Sequence, residues 1–424
     1  MYGIGPESKF SLAQIATKAA STSTIVGIRL ACQALVLLVS ARLLGVEGFG
    51  LVAAVVAVSL VLGPWSGLGY DFVALRAISH DRSGSRAHFH RGVRLILKTA
   101  VPLVAITAFV VFLWFREDHL VLLTVLVLLA ELVFLRSTEL IAKIFQGNDL
   151  FHEMALTRLS ISLSRLLVLG GIFLTTPSIT ALQWGWANLA AAVVALGSSY
   201  WHLRVRLKLG QEARDLAAVP LQDGLYFAAS ITSMRLSTEF DKSLVLGITG
   251  ALGAGVYGAA QRIVALAVAP IISLVNVAIT SLFRLGQEKH KGELRRRAVA
   301  VCGLATLYGC AVAVLLWLFL PDVAGFALGE EFSALAAGLL PLSLLVIPTS
   351  CRAVGEQAVV ALGKFHLRLL VQWAIAALSI TLNLVLIPRL GWEGAAWTLL
   401  ICESLLASAF VGMILFTGEE QAGE

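Results

Sequence analysis

Apolar runs long enough to cross a bilayer follow one another along nearly the whole chain, separated by short polar or basic interruptions. With about 20 apolar residues taken as one crossing, twelve runs are read, at 22–44, 49–72, 95–115, 119–145, 156–175, 181–203, 224–248, 254–283, 298–320, 332–351, 366–388 and 394–416. The pattern predicts an all-α polytopic membrane protein of about 12 transmembrane helices. Ahead of the first run, residues 6–20 mix Phe10, Leu12 and Ile15 with Glu7, Lys9, Gln14 and Lys18, which suits a segment lying along the membrane surface.

The first run carries an unusual polar line. Thr22, Arg29, Gln33 and Ser40 stand at i, i+7, i+11 and i+18. At about 100° per residue they fall within roughly 20° of one line along a helix. A lipid-facing surface has no use for such a line, so this face is expected to turn toward water or a polar solute inside a bundle.

Composition agrees with the pattern. Hydrophobic residues make up 58% of the 424 positions and charged residues 14%, against about a quarter charged in soluble proteins. The net charge of +6 does not point to nucleic acid, because no aromatic-basic platform or basic helical face accompanies it. The basic residues instead fall on alternate interruptions. Twenty-four of the 32 Lys and Arg lie at the N-terminus and after the even-numbered runs, and three, Arg42, Arg116 and Arg389, after odd-numbered ones. Positively charged loops stay inside, so a multi-pass membrane protein with both ends in the cytoplasm is expected. The five cysteines show neither a C-x-x-C pair nor a histidine at metal spacing, so no metal or other cofactor is expected. The first twenty residues lack the short apolar core and small-residue cleavage site of a secretory signal, so the first crossing is expected to be retained.

An internal repeat divides the chain. Gly45, Gly48 and Gly50 recur as Gly250, Gly253 and Gly255 at a constant offset of 205 residues, each set following the first run of a six-run half. A second correspondence sets Gly147 against Gly363. Two six-helix lobes of like orientation follow, an N-lobe over 1–203 and a C-lobe over 224–424, joined by a basic cytoplasmic linker at 204–223.

Several stretches resemble a known family. The runs L-G-V-E-G-F-G-L-V-A-A from Leu44 and W-S-G-L-G-Y-D-F-V-A-L-R from Trp65 resemble the first two helices of the polysaccharide-biosynthesis flippases. These belong to the multidrug, oligosaccharidyl-lipid and polysaccharide exporter (MOP) superfamily. Similar to that family as well are E-F-D-K-S-L-V-L-G from Glu239, G-V-Y-G-A-A-Q-R from Gly255, and N-L-V-L-I-P from Asn383. The resemblance covers essentially the whole chain, through helix ends and turns rather than a catalytic signature. It implies two lobes packed as a V, as in the multidrug exporters (MATE) of the same superfamily, with a cavity opening alternately to each side. The implied cargo is a polyprenyl-diphosphate-linked oligosaccharide, and the implied partners are the lipid bilayer and a polysaccharide polymerase or chain-length regulator. The lipid II flippases typically carry two further helices, which favours an O-antigen, capsule or exopolysaccharide repeat unit as cargo.

Arginine suits an anionic diphosphate, because its guanidinium stays charged and binds phosphate oxygens in pairs. Arg29, Arg165 and Arg262, in runs 1, 5 and 8, are therefore the candidate cavity residues, with Gln33 beside Arg29. Two have a structural alternative: Arg29 could snorkel to the surface, and Arg262, whose face carries Gly255, Gly258 and Ala259 and so permits close helix packing, could bond backbone carbonyls of a neighbouring helix. Glu131 lies about 18 Å along run 4 from His119, with no basic residue at i±3 or i±4. It is the sharper candidate for a coupling proton or sodium ion, and Asp241 is a second. Glu139 is expected to be satisfied on its own helix by Arg136 and Lys143. The glycine turns lack the Lys-Ser/Thr of a phosphate loop, so nucleotide hydrolysis is not expected. Two rivals stand beside this reading: a cation-coupled drug exporter of the same superfamily, and a membrane glycosyltransferase or polymerase. The latter would need a larger outer loop than residues 321–331 provide. The chain is expected not to be an enzyme.

Overall fold

The computed structural model describes residues 12–207, 221–287, 291–328 and 330–416. Among them are thirteen α-helices and no strand. In order these are α1 (Leu12–Leu62), α2 (Tyr70–His80), α3 (Ser85–Phe115), α4 (Asp118–Leu129), α5 (Arg136–Gly147), α6 (Phe151–Thr175) and α7 (Ala181–Arg206). There follow α8 (Leu221–Thr238), α9 (Asp241–Gln287), α10 (Lys291–Leu328), α11 (Leu339–Ala361), α12 (Phe365–Leu390) and α13 (Trp392–Leu415). Nine continuous stretches of the described residues are long and apolar enough to cross a membrane. Two of these, Thr24–Trp65 and Leu221–Ile272, hold two crossings each, and Ala181–Arg206 completes the twelve.

The doubling is made by glycine. A straight helix of the 51 residues of α1 would reach about 76 Å at 1.5 Å per residue, far beyond a hydrocarbon core of about 30 Å. Gly45 breaks it at φ 63, ψ 179, and Gly250 breaks α9 at φ 83, ψ −176. Both conformations are natural to glycine and costly to any residue with a Cβ. Val36 and Val39 of the first arm of α1 then lie in one cluster with Val52 and Val55 of the second.

The repeat also governs how the lobes meet. A Cβ built on Gly50 would sit 2.0 Å from the Ala251 carbonyl oxygen, and one built on Gly255 would sit 1.9 Å from that of Val46. Residues 46 and 50 map onto 251 and 255 under the 205-residue offset, so the two contacts are equivalent, as at a two-fold axis. The largest buried cluster lies here, joining Val46, Phe49 and Ala54 to Val245, Ala254 and Tyr257. Farther along, the lobes touch again where Phe72 of α2 stacks on Phe227 of α8 at 4.6 Å, and where Arg76 meets Asp223 at 2.9 Å.

Three expectations are corrected in detail. The second crossing is not one run over 49–72: it breaks at a 3-10 turn, Gly63–Trp65, then passes through Gly67, Leu68 and Gly69, all at positive φ, before α2. The fourth is interrupted between α4 and α5 by a π-helical segment, Ala130–Leu135. Many basic residues read as loop residues stand on helices, among them Arg91 and Lys98 on α3 and Arg352 on α11, because the helices continue past the apolar core. The segment 6–20 lies partly outside the described residues, and from Leu12 it is helical and continuous with the first crossing. Of the linker at 204–223, residues 208–220 lie outside the described residues, and its two ends are helical.

Candidate functional site

Hydrocarbon forces intramembrane charges to face inward and find partners, and the N-lobe shows where they do so. The π-helical turn beginning at Ala130 adds a residue to the fourth crossing and re-aims the side chains near its start. Glu131 sits in that first turn and forms an ion pair with Arg165 of α6, whose Nε also donates to Asn188 Oδ1 at 2.9 Å. The carboxylate that looks isolated on its own helix thus has a cation from the next one. Two of the predicted residues come together here, although they were assigned separate tasks.

A second constellation lies along the same lobe. Arg136 donates to Asp71 at 2.8 Å and to the Ser66 carbonyl at 3.3 Å, tying α5 to the broken second crossing. Ser66 in turn donates to the Leu132 carbonyl of the π-helical segment at 2.6 Å. Glu139 does not pair with Arg136 or Lys143 as expected from i±3 and i+4 spacing. It accepts from Arg158 of α6 at 3.3 Å, while Lys143 donates to Gln146 at 3.2 Å and lies 4.6 Å from the centroid of the Phe72 ring. Arg29 is half-buried within electrostatic reach of Arg158 and Glu139, and its Nε is buried without a hydrogen-bond partner. Four cations, Arg29, Arg136, Lys143 and Arg158, therefore share two carboxylates, Asp71 and Glu139.

The polar line of the first crossing is split by this packing. Gln33 is exposed, whereas Ser40 is buried and accepts from the Trp184 indole of α7 at 3.2 Å. Thr22 has no described side chain environment.

In the C-lobe, Asp241 is buried and tightly held. It accepts from the Tyr257 hydroxyl, from Gln261 Nε2 at 2.9 Å and from the Lys242 amide at 2.8 Å. Beside it, Glu239 bridges Arg235 at 3.1 Å and Lys242 at 2.7 Å, a ladder of neighbouring charges that neutralise one another. Arg262 is exposed and within electrostatic reach of Glu239, while Gly255 and Gly258 on its face pack closely on the N-lobe, Gly258 against Ala53. Arg262 is thus exposed on a stretch of α9 whose glycines pack closely on the other lobe. Among the described residues no group of three His, Cys, Asp or Glu could hold a metal ion.

A further network escaped the sequence. Arg352 of α11 donates to Glu403 of α13 at 2.6 Å and to Glu356 at 3.0 Å, and Glu356 accepts from Arg368 of α12 at 2.6 Å. One signal could have found it: Arg136 and Arg352 are related by 216 residues, the offset that relates Gly147 to Gly363. Each binds a carboxylate from another helix of its own lobe.

The pair in the N-lobe gives a direct prediction. Arg165→Ala strands Glu131 and is expected to lower stability by about 2–3 kcal/mol, less than the roughly 3–5 of a fully buried pair because both side chains keep some exposure. Thermal melting of the purified protein checks it. Arg165→Ala with Glu131→Gln should recover part of the loss, and equal melting of wild type and Arg165→Ala would contradict the pairing.

Comparison with known proteins places these features. A family model described as polysaccharide biosynthesis protein matches residues 15–285. Among curated proteins none matches the sequence. A multidrug resistance MATE family transporter of the MOP superfamily, in an inward-facing conformation, superposes with a TM-score of 0.74 at 18% identity, covering 93% of this chain and 97% of that one. An outward-facing structure of such a transporter gives 0.63 at 18% identity, over 93% and 95%. A MOP superfamily transporter from Pyrococcus furiosus, described as having a binding pocket of reversed polarity, gives 0.68 at 16% identity, over 93% and 94%. The fold is thus that of the MOP transporters, and with the family model spanning well over half its length, the chain belongs to the polysaccharide biosynthesis protein family.

Proposed function

We propose that this protein is a flippase that carries a polyprenyl-diphosphate-linked oligosaccharide across the bacterial inner membrane by alternating access. The observation that carries the reading is the N-lobe constellation, where Arg29 presents a buried Nε without a partner beside Arg158. Four cations against two carboxylates leave that region with net positive charge, which would attract an incoming anion. A diphosphate meets the need, since paired N–H donors match its oxygens. The exposed amide of Gln33, one helical turn from Arg29, suits a sugar hydroxyl. Arg165, already committed to Glu131, is better placed to position that carboxylate than to bind cargo, and Arg262 would meet the anionic head from the C-lobe.

The lobes would meet at Gly50 and Gly255 in one state of the cycle and part there in the other. Glu131 or Asp241 would respond to a proton or sodium ion, each being an acid held by exchangeable hydrogen bonds within one lobe. The same charge balance opposes an exporter of organic cations, which would be repelled from the region around Arg29. By this reading the protein catalyses no bond change. The repeat unit is handed outside to a polysaccharide polymerase or chain-length regulator, and both termini face the cytoplasm.

The test is transport in proteoliposomes loaded on one leaflet with a polyprenyl-diphosphate oligosaccharide. Wild type should move the lipid to the other leaflet. Arg29→Ala should slow it at least about tenfold, the size of one charge-assisted interaction lost, and Arg29→Lys should fall between the two. Full rates in both variants, at equal melting temperature, would remove the diphosphate role.

A further inference from the structure

The Gly45 break leaves a helix N-terminus in an unusual place. Val46 begins the second arm of α1 with an amide that has no intrahelical acceptor, as the first amides of any helix do. Its partner comes from the other lobe: Glu331, at the start of the Glu330–Gly338 turn after α10, accepts from the Val46 amide at 3.1 Å. The carboxylate fits because Gly45 has no side chain, since a Cβ there would lie 3.1 Å from Glu331 Oε2. One residue along, Phe332 meets Phe49 edge to face with ring centroids 6.2 Å apart. The cap therefore lies beside the reciprocal contacts of Gly50 and Gly255, where the lobes meet at this end of the bundle.

A cap supplied by its own helix is indifferent to domain motion, but this one is not. We propose that Glu331 is a positioning residue for the transport cycle, a cap given by the C-lobe to the N-lobe that holds this end shut and is released when it opens. The physical reason is that the helix N-terminus carries partial positive charge and an unmet donor, so a carboxylate stabilises only the state in which it reaches Val46. Water takes its place in the open state, and the difference sets the balance between the two. The inference concerns the resting protein and holds whatever the cargo is.

The experiment measures distance between spin labels placed at Thr176 of the N-lobe and Leu390 of the C-lobe, both exposed, on purified protein whose native cysteines have been replaced. Thr176 belongs to this end, because the nearby Ile179 amide donates to the Leu43 carbonyl at 2.8 Å. Glu331→Ala should raise the ratio of open to closed population about fivefold, the usual weight of a helix cap. Glu331→Gln, which still accepts from Val46, should restore most of the closed state. Val46→Pro removes the amide while suiting the first helical position, and should reproduce Glu331→Ala. Combining Val46→Pro with Glu331→Ala should add nothing. Unchanged distances in Glu331→Ala, or effects of the two variants that simply multiply, would overturn the proposal. Loss of proteoliposome transport by wild type would instead count against the cargo and leave these distances untouched.

Discussion

Gly255→Ala is expected to arrest transport while leaving a folded protein. The new methyl would lie 1.9 Å from the Val46 carbonyl oxygen, and the obstacle is backbone, which cannot rotate aside. The lobes must then part by about an ångström or more to reach normal contact, at a cost of roughly 1–3 kcal/mol for overpacking. That cost falls on the closed state alone. It lowers the closed population, and with it the rate of any cycle passing through that state, by about tenfold to a hundredfold. Gly50→Ala should do the same, because its Cβ meets the Ala251 carbonyl at 2.0 Å and the Gly255 amide at 2.5 Å. Gly247→Ala is the control: nothing lies within 4 Å of its Cβ, and it should be neutral. Export or flipping assays at matched protein level check all three. Wild-type activity in Gly255→Ala would show that this joint need not close.

Arg352→Ala should have the larger effect on stability. Arg352 serves two carboxylates from the interior of the C-lobe, where Glu403 and Glu356 keep 3% and 8% of their side-chain exposure. Arg368 still pairs with Glu356 after the substitution, but Glu403 loses its partner. An uncompensated buried carboxylate costs about 3–5 kcal/mol, a large part of what holds a typical domain together. The variant is expected to yield little folded protein and to melt well below wild type. Arg352→Ala with Glu403→Gln should recover much of the loss, since the charge left behind is the cause. Equal melting of wild type and Arg352→Ala would mean that Glu403 finds another cation or water.

These two residues mark what the sequence could and could not carry. Gly50 and Gly255 were legible because the signal is local: a glycine-punctuated turn repeated at fixed offset needs no knowledge of packing. The same is true of the twelve crossings, which follow from hydropathy. Arg352 was read as a loop residue because the apolar run ends near it, although the helix continues to Ala361. Glu131 looked unpartnered since only its own helix could be searched, and Arg165 is 34 residues away. Glu139 looked paired on its helix, yet its cation comes from Arg158. In each case the deciding quantity is how a helix is rotated against its neighbours, which tertiary packing sets. The broken second crossing was hidden for another reason: the strongly apolar residues from Leu51 to Leu62 keep the mean hydropathy of the run high although Pro64, Gly67 and Gly69 follow them.

Asp241 shows a limit of another kind. Its position was legible, but its three donors were not, since Tyr257 and Gln261 arrive from beyond the Gly250 fold. Arg29 and Gln33 were selected as a polar face of the first crossing. The structure keeps Arg29 near Arg158 and Glu139 and leaves Gln33 exposed, while Ser40, on the same line, turns to Trp184.

The most direct test of the central claim is mass spectrometry of polyprenyl-linked lipids from cells with and without this gene, beside a gel of surface polysaccharide. The account predicts that cells lacking the protein accumulate a complete diphosphate-linked repeat unit and lose surface polymer. Unchanged lipids and polymer, in cells with no second transporter for the same lipid, would contradict it, and accumulation of a truncated glycan would point to an enzyme instead.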